Sequence, residues 1–465
     1  MTFITNLWIV CLAELIKWSS PWYIRKMVSR GFKRMWPSLL FALTVMVFVL
    51  LPGFDKNMLY RESVSWKFPS LLLSAEDTPM PAREAVSWKS PSFLRPAEFE
   101  QCFPMPEELK PQVEFWKDIF VRYTSRQVVI HDSWDFQIVY DVIDLNHTKN
   151  INAVIKTYRQ ILHVLAGKEK HNKLGTLTSE EAKVYKLFEK IPEPDKFRKA
   201  VARPIRVQFG QRDRFMEAIR RSGLYYQRFA RIFQEYGLPL ELISLPFVES
   251  YFNHDAYSRA GAAGVWQFMP ATARLYGLQM NNAIDERYDP FKSASSAAKL
   301  LKANYELFRS WPLAITAYNH GPAGIFNAIK QTGTSDIGKI TSTYQGEKFG
   351  FYSRNYYAQF LAVAQIMQDP QQYFGEIECF PTIHYEEVTI GRQLFIDDLA
   401  TLLAISKDQL VTLNRDLKPA VVESKAPVPP NFVCKLPPGK RRHLLLKLQE
   451  LAALEHVDPW RQRKL

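Results

Sequence analysis

Apolar and polar positions divide this chain into stretches of different period. Residues 38–51 are apolar throughout except Ser38 and Thr44, and are bounded by Trp36-Pro37 and Pro52-Gly53. That predicts one segment at the short end of membrane-spanning length. Over 106–367 apolar residues return every three or four positions. The helical period predicts helices over 112–123, 151–166 and 179–190, a pair within 212–234, and then 270–275, 291–308, 313–318 and 353–367. Two short β-like runs, 128–130 and 137–140, flank His131-Asp132, which reads as a turn or cap. Pro239 opens a further helix on which Leu242, Leu245 and Phe252 make an apolar stripe. Beyond Thr382 two more β-like runs, 383–388 and 432–436, bracket helical patterning, and 439–455 is a basic amphipathic helix. The expected fold is mainly α: a helical N-terminal domain over 99–223, a helical domain over 224–370, a small α+β module over 380–438 and a closing helix over 439–465.

Charge places the chain in the cell. Its 465 residues carry 60 Lys and Arg against 47 Asp and Glu, a net charge of +13. No block of basic residues with interleaved aromatics and no zinc-finger spacing occurs, which argues against nucleic acid as partner. Lys17, Arg25, Lys26, Arg30, Lys33 and Arg34 precede the apolar run, against Glu14 alone. Positive residues stay cytoplasmic, so 1–35 is expected inside, 36–53 as an inner-membrane anchor, 54–98 as a Pro- and Ser-rich tether, and the remainder in the periplasm. A cleaved signal peptide is the other reading of that run if translation starts at Met27, but no Ala-x-Ala site follows Leu51. Of the cysteines, Cys102, Cys379 and Cys434 would lie outside, with Cys379 and Cys434 the expected pair. The nine His are scattered, without a His-Glu-x-x-His or comparable ligand set, so no metal or organic cofactor is expected. No Gly-x-Ser-x-Gly elbow appears either.

Candidate chemistry collects between Gly237 and Met269. Glu249 shares the apolar stripe of the helix that Pro239 opens. A carboxyl there is either an edge-of-core residue or an acid kept protonated by desolvation, as a general acid near neutral pH requires. Gly261-Ala262-Ala263-Gly264 follows, with almost no side-chain volume, and leads into Val265-Trp266-Gln267; Ala317-Tyr318-Asn319-His320-Gly321-Pro322 comes some fifty residues on. Asp289 before Pro290 has a sufficient role as helix N-cap, and the polar 208–214 stretch is either solvated or laid along a ligand.

Glu249-Ser250, Gly264-Val265-Trp266-Gln267 and Ala317-Tyr318-Asn319 together resemble the three signature motifs of the soluble-lytic-transglycosylase (SLT, goose-lysozyme-like) superfamily. The likeness is nearest to its membrane-bound lytic murein transglycosylase D branch, where Trp replaces the commoner Met. The resemblance implies a lysozyme-like helical catalytic domain acting on peptidoglycan glycan strands in the bacterial envelope. It further implies that Glu249 is the sole catalytic acid and base, cutting between N-acetylmuramic acid and N-acetylglucosamine and leaving 1,6-anhydro ends. Ser250, Ser258, Trp266, Gln267, Tyr318, Asn319 and Tyr356 would then bind substrate, Trp266 and Tyr318 as stacking surface and Gln267 and Asn319 on acetamido groups. The 380–438 module resembles a degenerate LysM unit without the usual Gly-Asp-Thr opening. A hydrolytic muramidase and a non-catalytic wall-binding scaffold on the same fold remain alternatives. The sequence names no protein partner.

Overall fold

A computed structural model describes residues 86–87, 94–147 and 150–457. The basic N-terminal segment, the expected 36–53 anchor and most of the tether lie outside the described residues. Within them, no helix is long and apolar enough to cross a membrane. Part of the tether has regular structure: Val86–Ser87 pairs antiparallel with Glu378–Cys379, and the helix Pro96–Cys102 starts inside its range.

The fold is mainly α, built around the helix Phe351–Gln368. Tyr356, Tyr357, Phe360, Leu361, Val363 and Ile366 are all buried on it, so apolar contact surrounds it on every side. The helices Lys110–Val121, Tyr226–Glu235, Pro290–Phe308 and Trp311–His320 contribute to the same core. Trp116 donates its indole N–H to Asn355 Oδ1 at 3.0 Å, tying the first of these to the central helix. Phe103, Trp116, Phe120 and Phe215 share that core with Phe247 and Phe360. The sequence boundary at 223/224 therefore does not separate two cores, because the early helices supply one wall of the later domain.

A second core lies under a three-stranded antiparallel sheet. Gln127–Asp132 is its centre, between Val139–Asp144 and Ile205–Phe209. Helices Ile151–Lys170, Ser179–Leu187 and Lys196–Ala202 cover it, burying Ile130, Leu162, Leu165, Phe188 and Phe197. Asp132 Oδ1 accepts from the backbone N–H of Trp134 and Asp135, at 2.8 and 2.9 Å, so it caps a turn. His131 is buried among Phe115, Phe136 and Phe351.

The third core belongs to the C-terminal module. Glu386–Ile390 pairs antiparallel with Phe432–Leu436, and the helices Ile396–Leu403 and Lys407–Leu413, which lie between them in sequence, share their core, the second opened by a Ser406/Gln409 capping box. Ile284, which belongs to the 224–370 stretch, is buried in this core. The expected Cys379–Cys434 pair does not form: Cys379 is in the first core, Cys434 in the third, and both are free thiols, as is Cys102.

Candidate active site

Pro239 opens a 3-10 turn, Leu240–Ser244, rather than a long α-helix, and the α-helix that follows is only Leu245–Glu249. Ser250 then takes φ −144° and both Tyr251 and Phe252 take φ +54°. Two successive left-handed residues with side chains are costly. They are held by Phe252 packing edge-on to Phe247 at 4.7 Å and by the Tyr251 hydroxyl donating to Gln211. Phe252 thus reaches the core through a chain reversal, not through the helical stripe the sequence predicts. Glu249 is left on the last helical residue before that reversal.

The carboxyl of Glu249 is half-buried, and Tyr356 donates its hydroxyl to Oε1 at 2.5 Å. Desolvation lifts the Glu249 pKa from 4.5 to about 7, and the Tyr356 hydrogen bond opposes that rise. With Oε1 occupied by a donor, Oε2 carries the proton in the neutral form.

The loop that begins at the small-residue run is joined to Ser250, the residue after Glu249. Its carbonyls are taken by donors from three separate elements. Ser250 Oγ donates to Val265 O at 2.7 Å, Tyr318 Oη to Trp266 O at 2.8 Å, and Arg287 Nη1 to Gly261 O and Phe268 O at 2.7 and 3.1 Å. Gly264, at φ +78°, lies so close to the Arg287 backbone that a Cβ would fall 1.9 Å from Arg287 O. Gln267 sits at φ +49°, its amide N–H₂ donating to Gly264 O and Ala256 O at 2.8 and 3.2 Å. Its Oε1 takes no protein donor among the described residues.

The expected site residues divide accordingly. Glu249, Tyr356, Tyr318 and the Val265–Gln267 segment are brought together. Trp266 is fully buried, stacked on Phe233 at 5.5 Å and packed on Phe229 at 5.4 Å. It has no surface for a sugar, so its expected stacking role is corrected to a core role. Ser250 is buried with its hydroxyl turned to the loop, and Ser258 Oγ accepts from Ala262 N at 2.9 Å inside it. Asn319 is exposed, and its Oδ1 accepts from Ser353 Oγ at 3.1 Å. Ser353 also contacts His320 Nδ1 at 3.2 Å. Sequence reading missed Ser353 and Arg287. Arg287 stands amid Asp285-Glu286-Arg287-Tyr288-Asp289, where only the acids invited attention. Among the described residues no group of three or more His, Cys, Asp and Glu side chains is disposed to hold a metal ion.

Known proteins are similar to part of the chain. Membrane-bound lytic murein transglycosylase D of Escherichia coli is 27% identical over 249 residues, 51% of this chain and 51% of its own. The lytic transglycosylase Slt of Pseudomonas aeruginosa overlays 32% of this chain and 24% of its own, with 24% identity and a TM-score of 0.27. The 70 kDa soluble lytic transglycosylase of Escherichia coli overlays 32% of this chain and 25% of its own, with 19% identity and a TM-score of 0.26. The chain spans about half the length of the curated relatives it matches. The family model of the transglycosylase SLT domain matches residues 229–341, the stretch that holds Glu249, the Gly264–Gln267 loop and Tyr318-Asn319, and the chain therefore carries an SLT domain there.

Proposed function

We propose that this chain is a lytic transglycosylase that cleaves the β-1,4 bond between N-acetylmuramic acid and N-acetylglucosamine and closes a 1,6-anhydro ring on the muramic acid. The observation that carries this reading is one carboxyl, Glu249, half-buried, with a pKa raised to about 7 by desolvation and gripped by Tyr356. Hydrolysis by either usual route asks for a second carboxylate about 5–9.5 Å away. Intramolecular closure asks for one group used twice. Glu249 protonates the glycosidic oxygen as the leaving sugar departs, and positive charge develops at the anomeric carbon, relieved by the muramoyl acetamido group. The resulting carboxylate then takes the proton of the C6 hydroxyl as that oxygen attacks, which returns Glu249 to its starting state. Gln267 Oε1 and the Asn319 amide would receive acetamido groups at the two sides of the bond, and Tyr318 and Tyr356 would line it.

The chain would act in the periplasm, held by the 36–53 segment, in keeping with a relative whose name calls it membrane-bound. The C-terminal module would descend from a LysM-like glycan-binding unit. Digestion of purified sacculi with the full chain, read by mass spectrometry, tests the reading. Muropeptides lighter by one water are expected, and their loss with Glu249→Gln. Reducing ends in place of anhydro ends would make the enzyme a muramidase. Sacculus binding without any product would leave a scaffold.

A further inference from the structure

The segment between the SLT loop and the helix Pro290–Phe308 is held mainly by the C-terminal module. Asp285 N donates to Asp416 O at 2.7 Å, Lys418 N donates to Ala283 O at 2.9 Å, and Ile284 bridges to Leu417. Below them lies a buried ion cluster. Lys292 Nζ reaches Glu286 Oε1 at 2.8 Å and Asp416 Oδ2 at 2.9 Å, and Lys435 Nζ pairs with Asp289. Asp289, Asp416 and Lys435 are almost wholly buried, and Lys435 is fixed through its backbone by Asn414 on both sides, at 2.8 Å each. Asp289 at the same time caps the Pro290–Phe308 helix through Phe291 N and Lys292 N.

The other end of that segment is Arg287. Its guanidinium is buried, grips Asp285 through Nε and Nη2 at 2.9 and 2.8 Å, and spends Nη1 on Gly261 O and Phe268 O, the two ends of the loop joined to Ser250. A planar fork can hold a carboxylate and two carbonyls together, whereas an ammonium cannot reproduce that arrangement. Bonds thus run from Asp416 through Asp285 to Arg287, and from there to the loop that carries Gln267, and Lys435 joins them through Asp289 and Lys292.

We infer that Arg287 is a positioning residue for the Gly261–Phe268 loop, which Ser250 joins to the Glu249 helix, and that the C-terminal module is part of the catalytic apparatus because it fixes Arg287. The kinetic half of this inference rests on the proposed transglycosylase reading; the structural half does not. The test uses full-length Arg287→Lys, Lys435→Met and Lys435→Arg. Hydrogen exchange read by mass spectrometry should show faster exchange at 261–268 in Arg287→Lys. In Lys435→Met it should show faster exchange at both 283–289 and 261–268, with the Phe351–Gln368 helix unchanged. Lys435→Arg should restore most of the protection. In the sacculus assay Arg287→Lys should lower kcat roughly tenfold to a hundredfold, the scale on which small misplacements act, while KM moves less than about threefold and the pH of the descending limb stays put.

If Lys435→Met loosens the module but leaves 261–268 as protected as in the wild type, the module is a mere neighbour and the inference falls. It falls equally if Arg287→Lys lowers the melting temperature with exchange and kcat unchanged. Wild-type protein that releases no muropeptide would sink the proposed function, while the exchange pattern would still decide the positioning role.

Discussion

A carboxyl whose proton leaves near pH 7 in the folded chain and near 4.5 in the unfolded one makes opposite demands on catalysis and on stability. Between those values the native state holds a proton the unfolded state has lost, so the contribution of Glu249 to stability falls as pH rises, by an upper bound of about 3 kcal/mol above pH 7. Solvent contact at this half-buried group will reduce that figure. Glu249→Gln removes the penalty with the charge. Its melting temperature should match the wild type near pH 4 and exceed it at pH 8; equal curves across that range would mean the carboxyl is not desolvated. Activity should fall on the alkaline side, as the proton donor is lost through pH 7. Tyr356 donates to the carboxylate and so lowers that pKa. Tyr356→Phe should accordingly shift the descending limb of kcat/KM to higher pH, and a shift to lower pH would assign the hydrogen bond wrongly. Glu249 was legible in the sequence because an acid on an apolar stripe conflicts with its surroundings, and the motif around it is specific. The fate of Trp266 was not. Its neighbours Gln267 and Gly264 carry the motif, but which way a side chain points at a strained turn depends on Phe229 and Phe233, more than thirty residues earlier.

Among the elements, the long helices follow their period, and the segment 270–275 is helical as read. The five-residue Leu245–Glu249 helix and the reversal at Tyr251-Phe252 were hidden because side-chain spacing of three or four does not reveal a change of φ. The strand Ile205–Phe209 was also missed, although Ile205-Arg206-Val207-Gln208-Phe209 alternates apolar and polar as an edge strand does. Its partner is the Gln127–Asp132 strand, distant in sequence and seen only once the chain is folded. That central strand carries the second unusual titrating group. His131 has its Nδ1 against Asp132 O at 2.7 Å, while Nε2 has no partner in its aromatic surroundings, and burial drives its pKa from 6.5 down to about 3. The unfolded chain binds a proton here below pH 6.5 that the folded chain refuses, so this sheet loses stability as pH falls from 6.5 towards 3. His131→Phe keeps a ring against Phe115 and Phe136 and abolishes the titration. Thermal melts of the variant should fall less steeply between pH 6.5 and 4 than those of the wild type. Parallel curves would show that the histidine takes up its proton without disturbing the sheet.

At the level of the assembled chain, the sequence suggests beads on a string, whereas the structure shares its cores between them. Ile284 is numbered within the 224–370 stretch yet is buried with Val388, Leu399, Leu410 and Cys434 in the C-terminal core. Buried ion pairs add little net stability over apolar packing, but a partner left alone is severely penalised, so the Asp289–Lys435 contact resists separation of the two parts. The helical body and the C-terminal module should therefore unfold in one transition. The chain supplies its own reporters of this, since Cys379 lies in the first core and Cys434 in the third, and burial pushes their thiols up to about 11 and about 12. Thiols so placed react slowly until their surroundings open. Maleimide labelling along a temperature ramp, with peptides identified by mass spectrometry, should show Cys379 and Cys434 becoming reactive together. Ile284→Ala, a buried truncation worth about 2–5 kcal/mol, should bring both events to lower temperature by the same amount. If the variant advances only Cys434, the module opens by itself, and its hold on the segment that carries Arg287 is weaker than the bonds between them imply.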